Sequence, residues 1–257
     1  MAAYSADRSL KGKLRRRLAR LADRRPARVR LERPMVSFSF DDAPVSAAGA
    51  GAGILERRGA RATYFIATGL AGETGPMGAN ASLEEIGALM AAGHEIACHT
   101  HSHLDCGKAS AEAMDADVRR NQAALAAIGA PAPVAFAYPY GEVSRAAKQT
   151  LGGRFAVLRA LHHGLIEDGA DLNQAPAVGI EGPHGEAVAA AWLERALARN
   201  AWLILYSHDV GQTPSPWGCR PDALERLVDR ALGGGADVVT VGEGARRIGA
   251  RAGGRSR

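Results

Sequence analysis

Two short segments hold the residue types that hydrolytic chemistry needs. Phe38-Ser39-Phe40-Asp41-Asp42 ends an apolar run, 35–40, with two adjacent carboxylates. His99-Thr100-His101-Ser102-His103 sets two imidazoles four residues apart, just after a second such run, 95–98. One carboxylate and two imidazoles make a three-ligand site for a divalent ion that leaves room for water. The other carboxylate is then free to act as a base. Taken alone, a strand-end Asp-Asp reads equally as a turn or a helix N-cap. A lone His-x-x-x-His reads equally as an exposed polar stretch. Both segments fall at strand ends, and together they favour a metal hydrolase.

The elements that must position these residues are legible as alternating patterns. Short apolar runs at 35–40, 61–66, 94–98, 134–138, 153–159, 176–180, 201–207 and 236–240 predict strands. Helical patterns fill 46–58, 83–92, 109–128, 142–151, 186–199 and 220–233. Ser82 with Glu85 forms a capping-box pattern, and Gly59, Gly93 and Gly129 stand where helices should end. The repeated strand–helix order predicts an α/β fold, a distorted barrel of seven to eight parallel strands. In such a barrel the chemistry gathers at the carboxyl ends of the strands. Asp41, His99, Tyr138 and His208 all fall there, on four different strands.

Composition narrows the class. The chain has 257 residues, 47% of them hydrophobic, enough for one sizeable core. No run of eighteen apolar residues exists, and the N-terminus lacks the apolar core of a signal peptide. The expected location is therefore cytoplasmic. Three scattered cysteines, Cys98, Cys106 and Cys219, suit a reduced compartment better than a disulfide framework. The net charge of +5 hides a division. Residues 1–33 carry 12 Arg and Lys against 3 acids, and 246–257 carry five Arg and no acid, which leaves 34–245 at −9. An acidic body argues against a nucleic-acid groove. We expect a basic N-terminal helix or extension at 1–33, a catalytic domain at 34–245 and a basic flexible tail at 246–257. Within 9–25, Leu10, Leu14, Leu18 and Leu21 share a helix face edged by Arg. That face reads either as docked on the barrel or as an anchor on an anionic membrane surface.

The chain resembles the polysaccharide deacetylases of carbohydrate esterase family 4, the NodB-homology domain, over roughly 34–245. Ser39-Phe40-Asp41-Asp42 is similar to that family's first motif, Thr-Phe-Asp-Asp. His99-Thr100-x-Ser102-His103 is similar to the second, His-(Ser/Thr)-x-x-His. Ala137-Tyr138-Pro139-Tyr140-Gly141 resembles the third, Arg-x-Pro-x-Gly, and Leu205-Tyr206-Ser207-His208 the fifth, Leu-x-x-His. The resemblance implies Asp41 as general base and Asp42, His99 and His103 as metal ligands. It also implies the Tyr140 backbone N–H as an oxyanion donor, and Leu205 against the acetyl methyl beside Pro139. His208 is then placed to protonate the departing amine. Zinc is the expected metal, with cobalt and nickel also suited to N and O donors. Trp217, in a Pro-rich loop, suits a sugar-stacking platform.

Two departures from the family pattern matter. The third-motif Arg is Ala137, and the fourth motif, Asp-x-x-Asp-Trp, is absent. Arg159 is a candidate to restore the lost charge from another strand, and it is expected in the substrate pocket with Pro139, Leu205 and Trp217. Asp168 and Asp171 are candidates to orient His208. The resulting expectation is a metal-dependent N-deacetylase acting on N-acetylhexosamine units of a bacterial exopolysaccharide or its lipid-linked precursor, like the biofilm and holdfast-type deacetylases. The alternatives are a relative that hydrolyses a small cyclic amide or an O-acetyl ester, and a non-catalytic glycan-binding domain.

Overall fold

The computed structural model describes residues 17–253. Its ten strands are β1 (Met35–Asp41), β2 (Thr63–Ile66), β3 (Thr74–Gly75), β4 (Gly78–Ala79), β5 (Glu95–Cys98), β6 (Ala135–Ala137), β7 (Val157–Arg159), β8 (Val178–Gly179), β9 (Trp202–Ser207) and β10 (Asp237–Val238). The helices are α1 (Ala52–Glu56), α2 (Leu83–Ala91), α3 (Ala111–Ala127), α4 (Arg145–Leu151), α5 (Gly185–Arg199), α6 (Pro221–Gly233) and α7 (Val241–Arg247). A π-helical turn, Ala47–Gly51, runs directly into α1. All eight predicted strands and all six predicted helices are present. The β3–β4 hairpin and α7 were not anticipated. A two-residue strand leaves no periodic trace, and α7 has Gly242 and Gly244 within seven residues.

The sheet runs β7-β6-β5-β2-β1-β9-β8, all parallel, and β10 pairs with the first two residues of β1. It curls into a distorted (β/α) barrel. The closing stretch is irregular. Ala175 N donates to Leu158 O (2.8 Å) and Ala160 N to Ala175 O (2.9 Å), while Val178 and Gly179 pair with Leu205 and Tyr206 on β9.

Strand alternation divides the core into layers. Met35, Phe65, Ala97, Ala135, Ala137, Val157, Trp202, Ile204 and Tyr206 pack together inside the barrel. Val36, Phe38, Phe40, Leu203 and Leu205 pack outward against the helices. Every residue of β1 and β9 is buried, as expected of parallel strands covered on both faces. Inside, small residues make room for large ones. Trp202 donates its indole N–H to Ser37 Oγ (3.0 Å), which satisfies a polar pair in the dry interior.

The chain ends depart from the expected boundaries. Residues 17–21 are helical, and the segment after them is pinned to the barrel. Arg25 donates to the carbonyls of Ala156 (2.7 Å), Gly152 (3.1 Å) and Arg251 (2.8 Å). Lys148 Nζ donates to Ala22 O (3.1 Å). The stretch 246–253, expected as a flexible tail, instead continues α7 and packs Ile248 and Ala250 on the inner core. Gly253 N donates to Gly152 O (2.9 Å). The apolar residues of the tail, which its arginines obscured, explain the difference. Leu10 and Leu14 lie outside the described residues. Ala19 is buried, while Leu18 and Leu21 are 56% and 69% exposed, so that part of the leucine face points away from the barrel.

Candidate active site

The site lies at the carboxyl ends of the strands, where the inward-facing alternation runs out into loops. On β1 the inward residue is Asp41, and the next residue would ordinarily point away. The backbone turns left-handed at Asp42 (φ 59°) and Ala43 (φ 48°), which brings Asp42 back over the barrel mouth. Thr100 (φ 63°), His103 (φ 55°) and Tyr140 (φ 59°) are left-handed as well. Of the seven non-glycine residues with positive φ among the described residues, Asp42, His103 and Tyr140 therefore line one cavity, and Ala43 and Thr100 each adjoin one of its lining residues in the chain. Each such conformation costs about 1–3 kcal/mol, and its concentration here marks a site built for a task other than stability.

His99 and His103 are held by α3. Asp117 accepts from the backbone N–H of His101 (2.7 Å) and Ser102 (3.0 Å) and from Ser102 Oγ (2.9 Å). This braces the loop that carries both imidazoles. His99 Nδ1 donates to Ala137 O (2.8 Å), which leaves Nε2 as a lone pair aimed into the cavity. His99 Nε2 stands 3.9 Å from Asp42 Oδ1, and His103 Nε2 stands 3.7 Å from Asp42 Oδ2. The donor atoms of Asp42, His99 and His103 all lie within 4.8 Å of one another.

The electrostatics suit a cation at this point. Burial brings the pKa of both His99 and His103 down to about 4, so each is a neutral donor at physiological pH. Burial also raises Asp42, against the pull of His99 and His208. Its Oδ1 is buried with no hydrogen-bond partner. A carboxylate oxygen sealed in and unsatisfied is costly unless a cation meets it. The residues thus fit a divalent ion.

Asp41 is 3% exposed and bound by one group. Arg159 Nη2 donates to both of its oxygens, at 2.7 and 2.5 Å. Burial alone would raise the Asp41 carboxyl. The charge of Arg159, followed by those of His99 and His208, outweighs it and holds the group below its usual value. Arg159 is fully buried, with its guanidinium over the rings of Phe65 (5.0 Å) and Tyr206 (5.1 Å). Arg159 and Ala137 are register partners on adjacent strands. The small Ala137 leaves space inside the barrel, and an arginine one strand over carries the charge.

His208 faces Asp41, its Nε2 4.0 Å from Asp41 Oδ2. Its orienting partner is neither Asp168 nor Asp171. Asp168 accepts from Val29 N (3.3 Å), and Asp171 is bound to Lys148 (2.7 Å) beneath the N-terminal segment. The partner is Glu181, just after β8, at 2.8 Å from His208 Nδ1. Burial would lower the His208 pKa, but the hydrogen bond to Glu181 and the charges of Asp41 and Glu181 prevail and raise it to about 9. Glu181 was open to discovery by the same strand-end rule that selected Asp41, being the acid that follows the 176–180 run.

The cavity over these groups measures about 220 Å³. Trp217, Tyr140, Leu161 and Tyr206 line it, and residues 73–77 of the β3–β4 hairpin form one wall. Trp217 is held in place through its backbone, which accepts from His208 N (3.1 Å). Three pocket assignments need correction. Leu205 faces the helices, because on β9 it is Tyr206 that points inward. Pro139 is buried in its turn, and Arg159 lies beneath Asp41; neither lines the cavity. His101 turns away to Thr68 (2.8 Å) and Arg120 (3.1 Å), and His94 is bound between Ala62 N and Glu56. Cys98 and Cys106 are buried thiols outside the donor cluster.

Residues 28–152 match the profile of the family described as polysaccharide deacetylase. Over that segment, just under half of its length, the chain is similar to the polysaccharide deacetylases. The likeness of fold extends over most of the chain. The family 4 carbohydrate esterase domain of a multidomain xylanase from the hindgut metagenome of Trinervitermes trinervoides is similar at TM-score 0.62, with 19% identity, covering 88% of this chain and 96% of that one. An acetyl xylan esterase of the same family from Clostridium thermocellum, in complex with a cobalt ion, gives 0.58 at 19% identity, covering 85% and 93%. The chitin deacetylase of Colletotrichum lindemuthianum gives 0.57 at 21%, covering 84% and 89%. No curated protein sequence matches significantly.

Proposed function

We propose that this protein is a metal-dependent deacetylase that removes N-acetyl groups from N-acetylhexosamine units of a bacterial exopolysaccharide or its lipid-linked precursor. One observation carries the reading: Asp41, Asp42, His99, His103 and His208 reach a single cavity from the ends of three strands. In this reading Asp42, His99 and His103 hold a divalent ion, zinc in first place, with cobalt or nickel also accepted by the same donors. When bound, the ion polarises the acetyl carbonyl and acidifies water. Asp41 accepts the proton of the attacking water, and Arg159 keeps that carboxylate ionised and aimed. The Tyr140 backbone N–H, presented by its left-handed turn, donates to the developing oxyanion. His208 delivers a proton to the departing nitrogen.

That last step favours an amide over an ester. An amine leaves only when protonated, whereas an alcohol needs less help. A His208 imidazolium supported by Glu181 supplies such a proton at neutral pH. A glycan-binding domain without activity would need neither His208 nor Glu181. The reading extends to place. Leu18 and Leu21, exposed on a helix edged by Arg17, Arg20 and Arg24, suit contact with an anionic cytoplasmic membrane face, where lipid-linked precursors would be met. The test is release of acetate and of free amine from N-acetylated sugars, O-acetylated sugars and small cyclic amides, with and without chelator. Chelator-sensitive amine release from N-acetylhexosamine oligomers is the expected result. Acetate release from O-acetylated substrates alone would replace this reading with the esterase.

A further inference from the structure

Tyr206 is the last residue of β9 to point into the barrel, and it lines the catalytic cavity although only 6% exposed. Its ring reaches the companions of both proton-transfer groups. On the side of the base, the Arg159 guanidinium lies 5.1 Å from the centroid of the Tyr206 ring and 5.0 Å from that of Phe65. Arg159 Nη2 is taken up by Asp41, but Nε and Nη1 are buried with no hydrogen-bond partner. Hydrogen bonds therefore fix one corner of the guanidinium. The two aromatic rings hold the rest, through the attraction between a cation and a π face.

On the side of the acid, the phenol hydroxyl of Tyr206 is hydrogen-bonded to Glu181. Burial, and then the Glu181 charge, raise the Tyr206 pKa, so the hydroxyl keeps its proton and donates to the carboxylate. Glu181 also stands 2.8 Å from His208 Nδ1. The rings of Tyr206 and His208 meet nearly perpendicular, at 78°, with 6.5 Å between centroids. Gly179 makes room for this contact. It is the β8 register partner of Tyr206, and a Cβ there would lie 3.1 Å from the Tyr206 hydroxyl and 3.2 Å from Glu181 Oε2. Any side chain at 179 would press against both groups.

The geometry points to Tyr206 as a positioning residue that ties the acid to the base: its hydroxyl fixes Glu181 behind His208, and its ring fixes Arg159 behind Asp41. The inference rests on the deacetylase reading above, in which Asp41 takes a proton from water and His208 gives one to the leaving group. Tyr206 handles neither proton. A carboxylate that accepts from two donors turns less freely than one that accepts from His208 alone, so the imidazole keeps its aim at the cavity. The two contacts are separable. Tyr206→Phe removes the hydroxyl and keeps the ring over Arg159, whereas Tyr206→Leu removes both. Support of the acid and support of the base are then lost one at a time.

Both variants of the full chain are to be assayed on an N-acetylglucosamine oligomer, an O-acetylated sugar and p-nitrophenyl acetate. Nitrophenolate leaves without a proton, whereas an amine or a sugar alkoxide needs one. Tyr206→Phe should lower kcat on the oligomer about tenfold, the size expected from losing one hydrogen bond to a charged group, with KM held and the aryl ester much less affected. Tyr206→Leu should lower aryl ester turnover as well, because Arg159 loses its ring. Gly179→Ala keeps Tyr206 and Glu181 but crowds their contact, and it should repeat the Tyr206→Phe pattern in weaker form. Loss by Tyr206→Phe in equal proportion on oligomer and aryl ester, the mark of a merely structural tyrosine, overturns the inference. So does no loss on either substrate. Aryl ester turnover that is the same in Tyr206→Phe and Tyr206→Leu removes the link to Asp41. Wild type that releases acetate from the O-acetylated sugar and not from the oligomer ends the N-deacetylase reading, and the ratio of sugar to aryl ester turnover then decides the role of Tyr206.

Discussion

At the scale of single residues, the site is defined by what each buried charge is given as company. Asp42 has two neutral imidazoles and an unsatisfied oxygen, and in the proposed reading a cation completes the group. Asp42→Ala, His99→Ala and His103→Ala should each lose metal and activity, read by elemental analysis of the dialysed protein. A full metal complement in His103→Ala removes that residue from the ligand set. Asp41 has Arg159 and should behave differently. Asp41→Asn keeps the metal while kcat falls by about 10² or more. Arg159→Ala leaves Asp41 buried without its countercharge, a loss of about 3–5 kcal/mol by precedent for broken buried pairs. Its kcat should fall even at temperatures where it stays folded. An unchanged kcat would show that Asp41 needs no countercharge. Glu181→Gln takes away the acceptor that favours the His208 imidazolium. The acid form is the working form, so activity declines as pH rises through the His208 pKa, about 9 in wild type. Without the carboxylate that alkaline limb should move to lower pH in a kcat/KM profile. A limb that does not move assigns it to another group.

At the scale of elements, the loops after the strands set the cavity, and they differ in how far the sequence discloses them. The strands were legible because a parallel strand buried on both faces is a plain apolar run. The carboxylates and imidazoles that meet in the cavity were legible because motif residues sit at the ends of such runs. Leu205 was misplaced because Leu-x-x-His fixes a spacing, while the pleat decides which face each side chain takes. The pocket wall at 73–77 was not legible, since Thr74-Gly75-Pro76-Met77-Gly78 has turn chemistry and no period. That hairpin is tied down at its ends, where Asn80 N donates to Glu73 O (2.9 Å) and Ala81 N to Ala43 O (2.9 Å), beside the strained Asp42–Ala43 turn. Replacing 74–79 by a short Gly-Ser link should lower kcat/KM on oligosaccharides while metal binding persists. Unaltered kcat/KM would make the hairpin irrelevant to substrate.

At the scale of the whole molecule, the question is how the basic N-terminus joins an acidic body. The structure divides that segment in two. From Ala22 to Arg25 it is part of the barrel, with Arg25 joining the carbonyls of Gly152, Ala156 and Arg251 and so clasping α4, β7 and the C-terminal stretch together. Residues 17–21 turn Ala19 inward and leave Leu18 and Leu21 in solvent. No helix among the described residues is long and apolar enough to cross a membrane. Removal of 1–16 takes away Arg8, Lys11, Lys13, Arg15 and Arg16, each worth about 1 kcal/mol near an anionic leaflet. That truncation should release the protein from vesicles containing anionic lipid, with Tm and turnover of a soluble oligosaccharide retained. Removal of 1–30 should lower Tm as well, because the Arg25 clasp goes with it. The order of effects is what distinguishes the two parts of the segment. Undiminished vesicle binding after loss of 1–16 refutes the anchor. Lost turnover of soluble substrate after the same cut makes those residues part of the catalytic unit, and the membrane has then no claim on them.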